Sequence, residues 1–315
     1  MHELHHPLAC LAHLGLAVNF AFAFNPSSPP AHCSLGGPAC RRLQSVGLGL
    51  QAILEKPDTL TSPRPFDTVF ALPVMDGLFL AANLPVDESS AAELPFDELH
   101  PREREVLSGM KPHRQTSFAG GRIALRRALE AAGESALAEK PVLSSKSGAP
   151  AIPPGIVGSI SHTHGAAAAF ICPLRVLGEE CIAHNAISKF SLGSNNKRCA
   201  VGVDIEPVDR KVPLKLATKV LAEEERQTLG LSGLSAESDL LLRVSIKESL
   251  YKAMHPLVRR SIRWHSVKIQ PGRDGSCTVD STELEQEVGK TLVTKVRWGS
   301  HEGYFWSTAT CVAHP

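Results

Sequence analysis

The feature that most constrains this 315-residue chain is the stretch Ala200–Val–Gly–Val–Asp204–Ile–Glu206–Pro207. Small and apolar residues lead into two acids and a proline ends the run, which predicts a short buried strand with a charged end. Side chains alternate along a strand, so Asp204 and Glu206 face one side of it. Two carboxylates at the end of an apolar strand are costly without a positive partner, and Mg²⁺ is the simplest one. For an isolated D-x-E, two solvated acids are the alternative.

Composition and charge narrow the class of protein. The chain is 43% hydrophobic and 21% charged, which is typical of a globular protein with one large core or two smaller ones. A net charge of +1 gives no argument for nucleic acid, and no apolar run reaches the roughly 18–20 residues of a membrane span. The 8 cysteines are scattered without a C-x-x-C pair, which argues against a zinc site or a disulfide framework. We therefore expect a cytoplasmic protein without nucleic-acid or membrane partners.

The chain divides into a leader and two halves. Residues 1–65 are rich in Pro, Ser, Gly and Ala, which predicts a disordered or targeting leader, with organelle targeting left open. We expect an N-terminal half over residues 66–200 and a C-terminal half over residues 201–315. Residues 173–199 are polar and weakly periodic between two strands, which predicts an inserted loop. A gene-model artefact is the alternative for that segment.

In the N-terminal half, the sequence predicts one hairpin and two helices. Apolar residues alternate over 66–82 like a strand pair, and Pro101 followed by acids predicts a short helix over 101–107. An apolar stripe predicts a second helix over 118–132. Arg122 and Arg126 lie four residues apart on that helix and project from one face. They are either phosphate ligands or part of a solvated basic face.

A Gly/Pro loop followed by a polar turn comes next. Gly148–Ala149–Pro150 leads into an apolar strand, and Ser161 and His162 follow at a tight turn. A Ser beside a His does not make a catalytic triad, because G-x-S-x-G is absent and sequence neighbours seldom form one. Hydroxyl and imidazole donors at such a turn suit an anion, and a purely structural role for the histidine is the alternative.

A helix in the C-terminal half carries the remaining chemistry. The pattern predicts a helix that starts near Asp239 and ends at Pro256. Lys247 lies inside its apolar stripe, and Glu248 and Lys252 are four residues apart on the adjacent stripe. A lysine in an apolar stripe beside a Glu–Lys pair predicts a polar cleft along the helix.

Strand patterns dominate the rest of the C-terminal half. Alternating apolar residues predict strands over 264–269, 277–279, 292–298 and 304–312, with turn signals between them. Helices and strands do not alternate in regular β-α-β units. The fold class is therefore predicted to be α+β with largely antiparallel sheets.

The order of four motifs resembles the 4′-phosphopantetheinyl transferase family, in its larger, monomeric, EntD-like class. The motifs are Gly148–Ala–Pro150, Ser159–Ile–Ser–His162, Gly202–Val–Asp204–Ile–Glu206 and Lys247–Glu248–Ser–Leu–Tyr–Lys252. The resemblance covers residues 66–315 apart from 173–199. One departure is Val244, where the family usually has an aromatic residue. The resemblance implies a pseudo-twofold pair of similar α+β halves, with the active site in the cleft between the halves.

The resemblance also implies a role for each motif. Asp204, Glu206 and Glu248 would hold Mg²⁺ together with the pyrophosphate of coenzyme A. Glu248 and Lys252 would be the catalytic residues, the first as base and the second as a phosphate contact. Family members often have a lysine where this chain has Ala149, and whether Lys146 replaces it is left open. The residues expected to bind coenzyme A are Arg122, Gly148, Pro150, Ser161, His162, Asp204, Lys247 and Lys252.

The implied activity is that of a holo-[acyl-carrier-protein] synthase. Such an enzyme transfers 4′-phosphopantetheine from coenzyme A to a serine of an apo acyl or peptidyl carrier protein, with Mg²⁺, and releases 3′,5′-ADP. The carrier would belong to fatty-acid, polyketide or nonribosomal peptide biosynthesis. Two alternatives are a non-catalytic coenzyme A- or carrier-binding homologue and a metal-dependent phosphohydrolase. The sequence does not indicate which carrier is used.

Overall fold

The computed structural model describes residues 65–85, 96–145, 148–174, 181–183 and 197–314, with only the backbone described for His113 and for 181–183. The predicted leader lies outside the described residues except for Pro65. Lys146 and most of the predicted 173–199 insertion also lie outside them.

The N-terminal half is built on a four-stranded antiparallel sheet. Its strands are β1 (Thr68–Val74), β2 (Gly77–Asn83), β3 (Ile156–Thr163) and β4 (Ala166–Pro173). Its helices are α1 (Pro101–Ser108), α2 (Pro112–Ala131) and α3 (Ser135–Ala138). The strand order is β1-β2-β4-β3, and α2 packs on this sheet. The predicted hairpin over 66–82 and the predicted helix over 101–107 are confirmed, and the helix predicted over 118–132 is present but begins earlier, at Pro112.

The C-terminal half contains a second four-stranded sheet and a small hairpin. Its strands are β5 (Cys181–Ala183), β6 (Lys197–Pro207), β7 (Lys268–Pro271), β8 (Cys277–Asp280), β9 (Thr291–His301) and β10 (Tyr304–His314). Its helices are α4 (Ala217–Val220), α5 (Glu223–Gln227), α6 (Ala236–Val258) and α7 (Thr282–Val288). The large sheet has the order β5-β6-β10-β9, and β7 pairs with β8. Within the predicted insertion, β5 pairs in parallel with the start of β6.

The two halves repeat one folding unit. In the first half β2, α2, β3 and β4 follow one another along the chain, and β2 and β3 each pair with β4. In the second half β6 and β9 likewise pair with β10, and α6 follows β6. The expected fold class, a pair of similar α+β halves, is confirmed. The boundary predicted between residues 200 and 201 falls inside β6, and the C-terminal sheet also includes the earlier strand β5.

Strand β6 lies at the junction of the halves and packs on both of its faces. Val203 and Ile205 are buried in one apolar cluster with Phe170 of the N-terminal sheet. On the other face, a Cβ placed at Gly202 would lie 1.8 Å from the backbone oxygen of Ser249 on α6. The end of β6 is therefore held by apolar packing on one side and by a close backbone contact with α6 on the other.

Helix α6 is longer than the sequence pattern predicts. It begins after Ser235, whose hydroxyl accepts a hydrogen bond from the Ser238 backbone N–H, and it ends at Val258. The prediction that Pro256 ends the helix is wrong, because proline in the last turn removes a single hydrogen bond while the buried Leu257 keeps the turn packed. The predicted strand over 264–269 also begins with a 3-10 turn over Trp264–Ser266. Among the helices in the described ranges, none is long and apolar enough to cross a membrane.

Candidate functional site

Three elements from both halves meet where the halves pack together, and Lys252 of α6 connects them. We refer to this meeting point as the cleft. Its ammonium group donates to the Ser161 hydroxyl of β3 at 2.8 Å and to Asp204 Oδ1 of β6 at 3.0 Å. It also donates to the backbone oxygen of Val203 at 2.9 Å. The structure therefore brings Ser161, Asp204 and Lys252 together, as the family resemblance implies.

The Asp204 carboxylate is buried and only half satisfied. Its Oδ1 accepts hydrogen bonds from the Ser161 hydroxyl, at 2.7 Å, and from Lys252. Its Oδ2 is buried and has no hydrogen-bond partner among the described residues. A buried carboxylate oxygen without a donor is costly, so this oxygen is suited to a ligand that brings positive charge.

Glu248 belongs to α6, lies near Asp204 and Lys252, and is 8% exposed. Burial raises its pKa to about 7; Lys252 acts in the opposite direction, and the negative charges of Asp204 and Glu206 raise the pKa further. A carboxyl group with a pKa near neutrality can accept and release a proton under physiological conditions. The position and chemistry of Glu248 therefore suit a general base or a cation ligand.

Glu206 is held by two partners that the sequence prediction missed. The Thr163 hydroxyl of β3 donates to Glu206 Oε2 at 2.9 Å, and the Arg210 guanidinium contacts Oε1. Burial raises the pKa of Glu206, Asp204 raises it further, and Arg210 opposes both effects. In the sequence, Thr163 could have been found only from its position two residues after Ser161, which puts both side chains on the same face of a strand.

The donor set fits a hard divalent cation, although the described residues contain no ready cluster of three His, Cys, Asp or Glu side chains around one point. Lys252 and Arg210 contact Asp204 and Glu206 and partly neutralise them. The unpartnered Asp204 Oδ2 and the buried Glu248 carboxylate remain as oxygen ligands. Carboxylate oxygens are the ligands that Mg²⁺ prefers, and a cation would relieve the repulsion among the acids. Ligation by Asp204, Glu206 and Glu248 stays a prediction.

Arg122 and the Gly148–Pro150 loop form the N-terminal wall of the site. The Arg122 guanidinium stacks on Phe118 at 3.6 Å, and its Nε donates to the Val142 backbone oxygen at 3.2 Å. Its NH2 group donates to the hydroxyl of Ser144, the residue that pairs with Pro150. Burial lowers the pKa of Arg122 to about 10. Ser144 thus connects Arg122 to Pro150, while binding of coenzyme A by Arg122, Gly148 and Pro150 stays a prediction.

His162 lies between that wall and Lys252. It lies at the end of β3, where part of the residue stays open to solvent. The surrounding protein removes part of the water around the imidazole and so lowers its pKa, and the positive charges of Lys252 and Arg114 lower it further. The imidazole is therefore neutral at physiological pH and offers one donor and one acceptor. The positive charges of Arg114, Arg122 and Lys252 thus lie close enough to His162 to lower its pKa.

The structure does not bring Lys247 together with the other residues predicted to bind coenzyme A. Its ammonium group donates to Glu225 Oε2 at 2.9 Å and to the backbone oxygens of Trp264 and Val267. The side chain is 3% exposed. Each residue of a helix turns the side chain by about 100°, so Lys247 and Glu248 leave α6 in different directions. Lys247 instead ties α6 to α5 and to the segment before β7.

Replacing Lys247 with methionine should destabilise the fold by about 3–5 kcal/mol, because it leaves the Glu225 carboxylate buried without its charge partner. Urea unfolding of the two proteins measures this change. Lys268→Met is the matched control, since Lys268 forms an exposed pair with Glu224 and its loss should be hardly detectable. Equal losses of unfolding free energy in the two variants would contradict the role of Lys247 as the charge partner of a buried carboxylate.

Sequence comparisons match both halves of the chain to one family. The 4′-phosphopantetheinyl transferase N-terminal domain matches residues 102–172, and the 4′-phosphopantetheinyl transferase superfamily matches residues 200–307. The chain is 30% identical over 250 residues to the 4′-phosphopantetheinyl transferase Svp of Streptomyces mobaraensis, covering 75% of this chain and 90% of Svp. It is 29% identical over 185 residues to the 4′-phosphopantetheinyl transferase Npt of Nocardia iowensis, covering 58% of this chain and 72% of Npt.

Solved structures are matched over shorter lengths. The acyl-carrier-protein synthase–CoA complex from Chronobacterium ammoniagenes matches with a TM-score of 0.28 and 18% identity, over 36% of this chain and 96% of that one. The assignment rests on the sequence relatives and the family profiles. The chain belongs to the 4′-phosphopantetheinyl transferase family and is an enzyme of that class.

Proposed function

We propose that this cleft transfers the 4′-phosphopantetheine moiety of coenzyme A to a serine of an apo carrier protein in a Mg²⁺-dependent reaction. The observation that carries the proposal is the convergence of Asp204, Glu248 and Lys252 at the junction of the halves. Lys252 lies 3.0 Å from Asp204 Oδ1, and Asp204 Oδ2 is buried without a partner. A phosphoryl-transfer site needs this combination of acids for a cation and a nearby ammonium for phosphate oxygens.

The N-terminal wall supports binding of the nucleotide end of coenzyme A. Arg122 contributes a guanidinium close to the Gly148–Pro150 loop, and His162 contributes a neutral imidazole. The positive charges of Arg114 and Lys252 lie near His162. Guanidinium groups and ring donors of this kind hold phosphate oxygens and orient the ligand along the cleft.

Asp204, Glu206 and Glu248 are the residues that would hold Mg²⁺. When bound, the ion would offset the charge on the pyrophosphate as the bond to the leaving group breaks. Lys252 would exchange its contact with Asp204 for a phosphate oxygen. Ser161, which accepts a hydrogen bond from Lys252 and donates one to Asp204, would keep both groups at the junction of the halves.

The transfer step uses a nucleophile from the partner. The carrier serine hydroxyl attacks the β-phosphorus of coenzyme A, a serine O–P bond forms, and the P–O bond to 3′,5′-ADP breaks. Glu248 takes the serine proton, directly or through a water, which its pKa of about 7 permits near neutral pH. Because the nucleophile belongs to the carrier, the enzyme needs no activated serine or cysteine of its own.

The proposed partner is an acyl or peptidyl carrier protein, or a carrier domain, of fatty-acid, polyketide or nonribosomal peptide biosynthesis. The enzyme is proposed to act as a monomer, because both walls of the cleft come from one chain. Support for these details comes from the motif resemblance and from the position of the cleft between two halves of the same chain.

Incubation with coenzyme A, Mg²⁺ and a panel of apo carriers is expected to add the mass of one phosphopantetheine to a carrier serine. Chelation of the metal should stop the transfer, and excess Mg²⁺ should restore it, because the acids repel the pyrophosphate without a cation. Intact-protein mass spectrometry measures the product. Binding of coenzyme A without modification of any carrier would favour a non-catalytic homologue. Phosphate release without carrier modification would favour a phosphohydrolase.

A further inference from the structure

Three hydroxyl groups on one face of β3 each form a hydrogen bond to β6. Residues 159, 161 and 163 alternate along the strand, so their side chains point to the same side. The bonds run from the Val203 backbone N–H to Ser159 Oγ at 3.2 Å, from Ser161 Oγ to Asp204 Oδ1 at 2.7 Å, and from Thr163 Oγ1 to Glu206 Oε2 at 2.9 Å. We refer to these three residues as the hydroxyl row.

The hydroxyl row connects strands of different sheets. β3 pairs with β4, and β6 pairs with β5 and β10, so these side-chain bonds join the N-terminal half to the C-terminal half. Two members of the row end on carboxylates that the proposed function assigns to Mg²⁺. The third, Ser159, accepts a hydrogen bond from a main-chain N–H and, within the described part of the chain, forms none with a carboxylate.

We propose that Thr163 is a positioning residue, whose hydroxyl orients the Glu206 carboxylate for the divalent cation. This inference rests on the proposed function, because it assumes a cation at the acids. Glu206 has one oxygen on Thr163 and the other on Arg210, whose side chain is 45% exposed. The Thr163 contact comes from a packed strand, whereas the arginine is long and partly solvated, so the threonine supplies the rigid constraint.

Through the hydroxyl row, both halves contribute to the predicted cation site. All three acids belong to the C-terminal half, but one hydrogen-bond donor to Asp204 and one to Glu206 come from β3 of the N-terminal half. The orientation of these two carboxylates therefore depends in part on the packing of the two halves against each other. Groups that fix metal ligands in this way commonly change metal affinity when they are removed.

Thr163→Val tests the inference, because it removes the hydroxyl and keeps the shape of the side chain. Mn²⁺ binding to the full chain, followed by electron paramagnetic resonance without a carrier, should be about tenfold weaker in Thr163→Val and within about twofold of wild type in Thr163→Ser. In the transfer assay, the Mg²⁺ concentration for half-maximal rate should rise in Thr163→Val. The rate at saturating Mg²⁺ should recover.

Ser159→Ala is the matched control, since it removes a hydroxyl bond between the same two strands without touching an acid. Its Mn²⁺ affinity should equal that of wild type, whatever its stability. Equal Mn²⁺ affinities for wild type and Thr163→Val would overturn the inference and leave the proposed function standing. A loss of Mn²⁺ affinity in Ser159→Ala equal to that in Thr163→Val would also overturn the inference, because weaker contact between the two strands would then explain both losses. A wild-type protein that binds Mn²⁺ but modifies no carrier contradicts the proposed function and leaves the Thr163 comparison valid.

Discussion

Replacing Glu248 with glutamine is expected to abolish transfer and, at the same time, to stabilise the folded protein above neutral pH. The substitution removes the group that takes the serine proton, for which losses of roughly 10²- to 10⁴-fold in rate are typical. It also removes a negative charge that is buried beside Asp204 and Glu206. One variant should therefore separate the catalytic use of this carboxylate from its cost to the fold.

The pH dependence of that stabilisation follows from the raised pKa of Glu248. The pKa rises from an ordinary 4.5 to about 7 in the folded protein. Below pH 4.5 the group is protonated in both states and has no effect on stability. Between pH 4.5 and 7 the unfolded state binds fewer protons than the folded state, so stability falls as pH rises. Above pH 7 the full cost applies, on the order of 3 kcal/mol.

Urea unfolding of wild type and Glu248→Gln without metal, at pH 5 and pH 8, measures this effect. The variant should be more stable at pH 8 and nearly equal to wild type at pH 5. Glu237→Gln is the control, because Glu237 is exposed on the first turn of the same helix. Glu237→Gln should retain transfer activity. Its unfolding free energy should differ from that of wild type by the same small amount at pH 5 and at pH 8. Full transfer activity in Glu248→Gln would contradict the role of Glu248 as the general base.

Much of the site could be predicted from the sequence because its motifs are local. The D-x-E pair follows an apolar strand, and Glu248 and Lys252 follow helical spacing, so each motif indicates its own element and face. Their order along the chain then carried the resemblance to a family. The resemblance, and not local spacing, implied that Asp204 and Lys252 share one cleft, and the structure puts them 3.0 Å apart.

The parts that the sequence could not predict depend on contacts between distant residues. Lys247 was expected in the cleft because a lysine in an apolar stripe is unusual, and its partner Glu225 comes from another helix. Thr163 was overlooked because its acceptor, Glu206, lies 43 residues away in the other half. Pro256 was given too much weight, since the packing of the last turn of α6 outweighs one missing hydrogen bond. In each case tertiary structure decided the outcome.

Gly202→Ala is expected to unfold the junction on which the site depends. A Cβ at Gly202 would lie 1.8 Å from the Ser249 backbone oxygen and 2.9 Å from the Ala253 backbone nitrogen. Because both neighbours are backbone atoms of α6, the clash cannot be relieved by a side-chain rotation, and the helix must move away from β6. Overpacking of this kind costs about 1–3 kcal/mol and sometimes more. Since α6 carries Glu248 and Lys252, transfer should be lost even in the fraction that stays folded.

Gly158→Ala provides the matched comparison in β3 of the N-terminal sheet. Its added Cβ would lie 3.4 Å from the side chain of Ile152 and 3.5 Å from that of Ile171, which is ordinary packing distance. Its unfolding free energy should be unchanged or slightly higher, because alanine loses less backbone entropy on folding than glycine does. Urea unfolding and transfer assays on the two variants should therefore differ widely. A Gly202→Ala protein with wild-type stability and activity would show that α6 can move away from β6 without displacing its acids, and would remove the packing argument for the glycine in this motif.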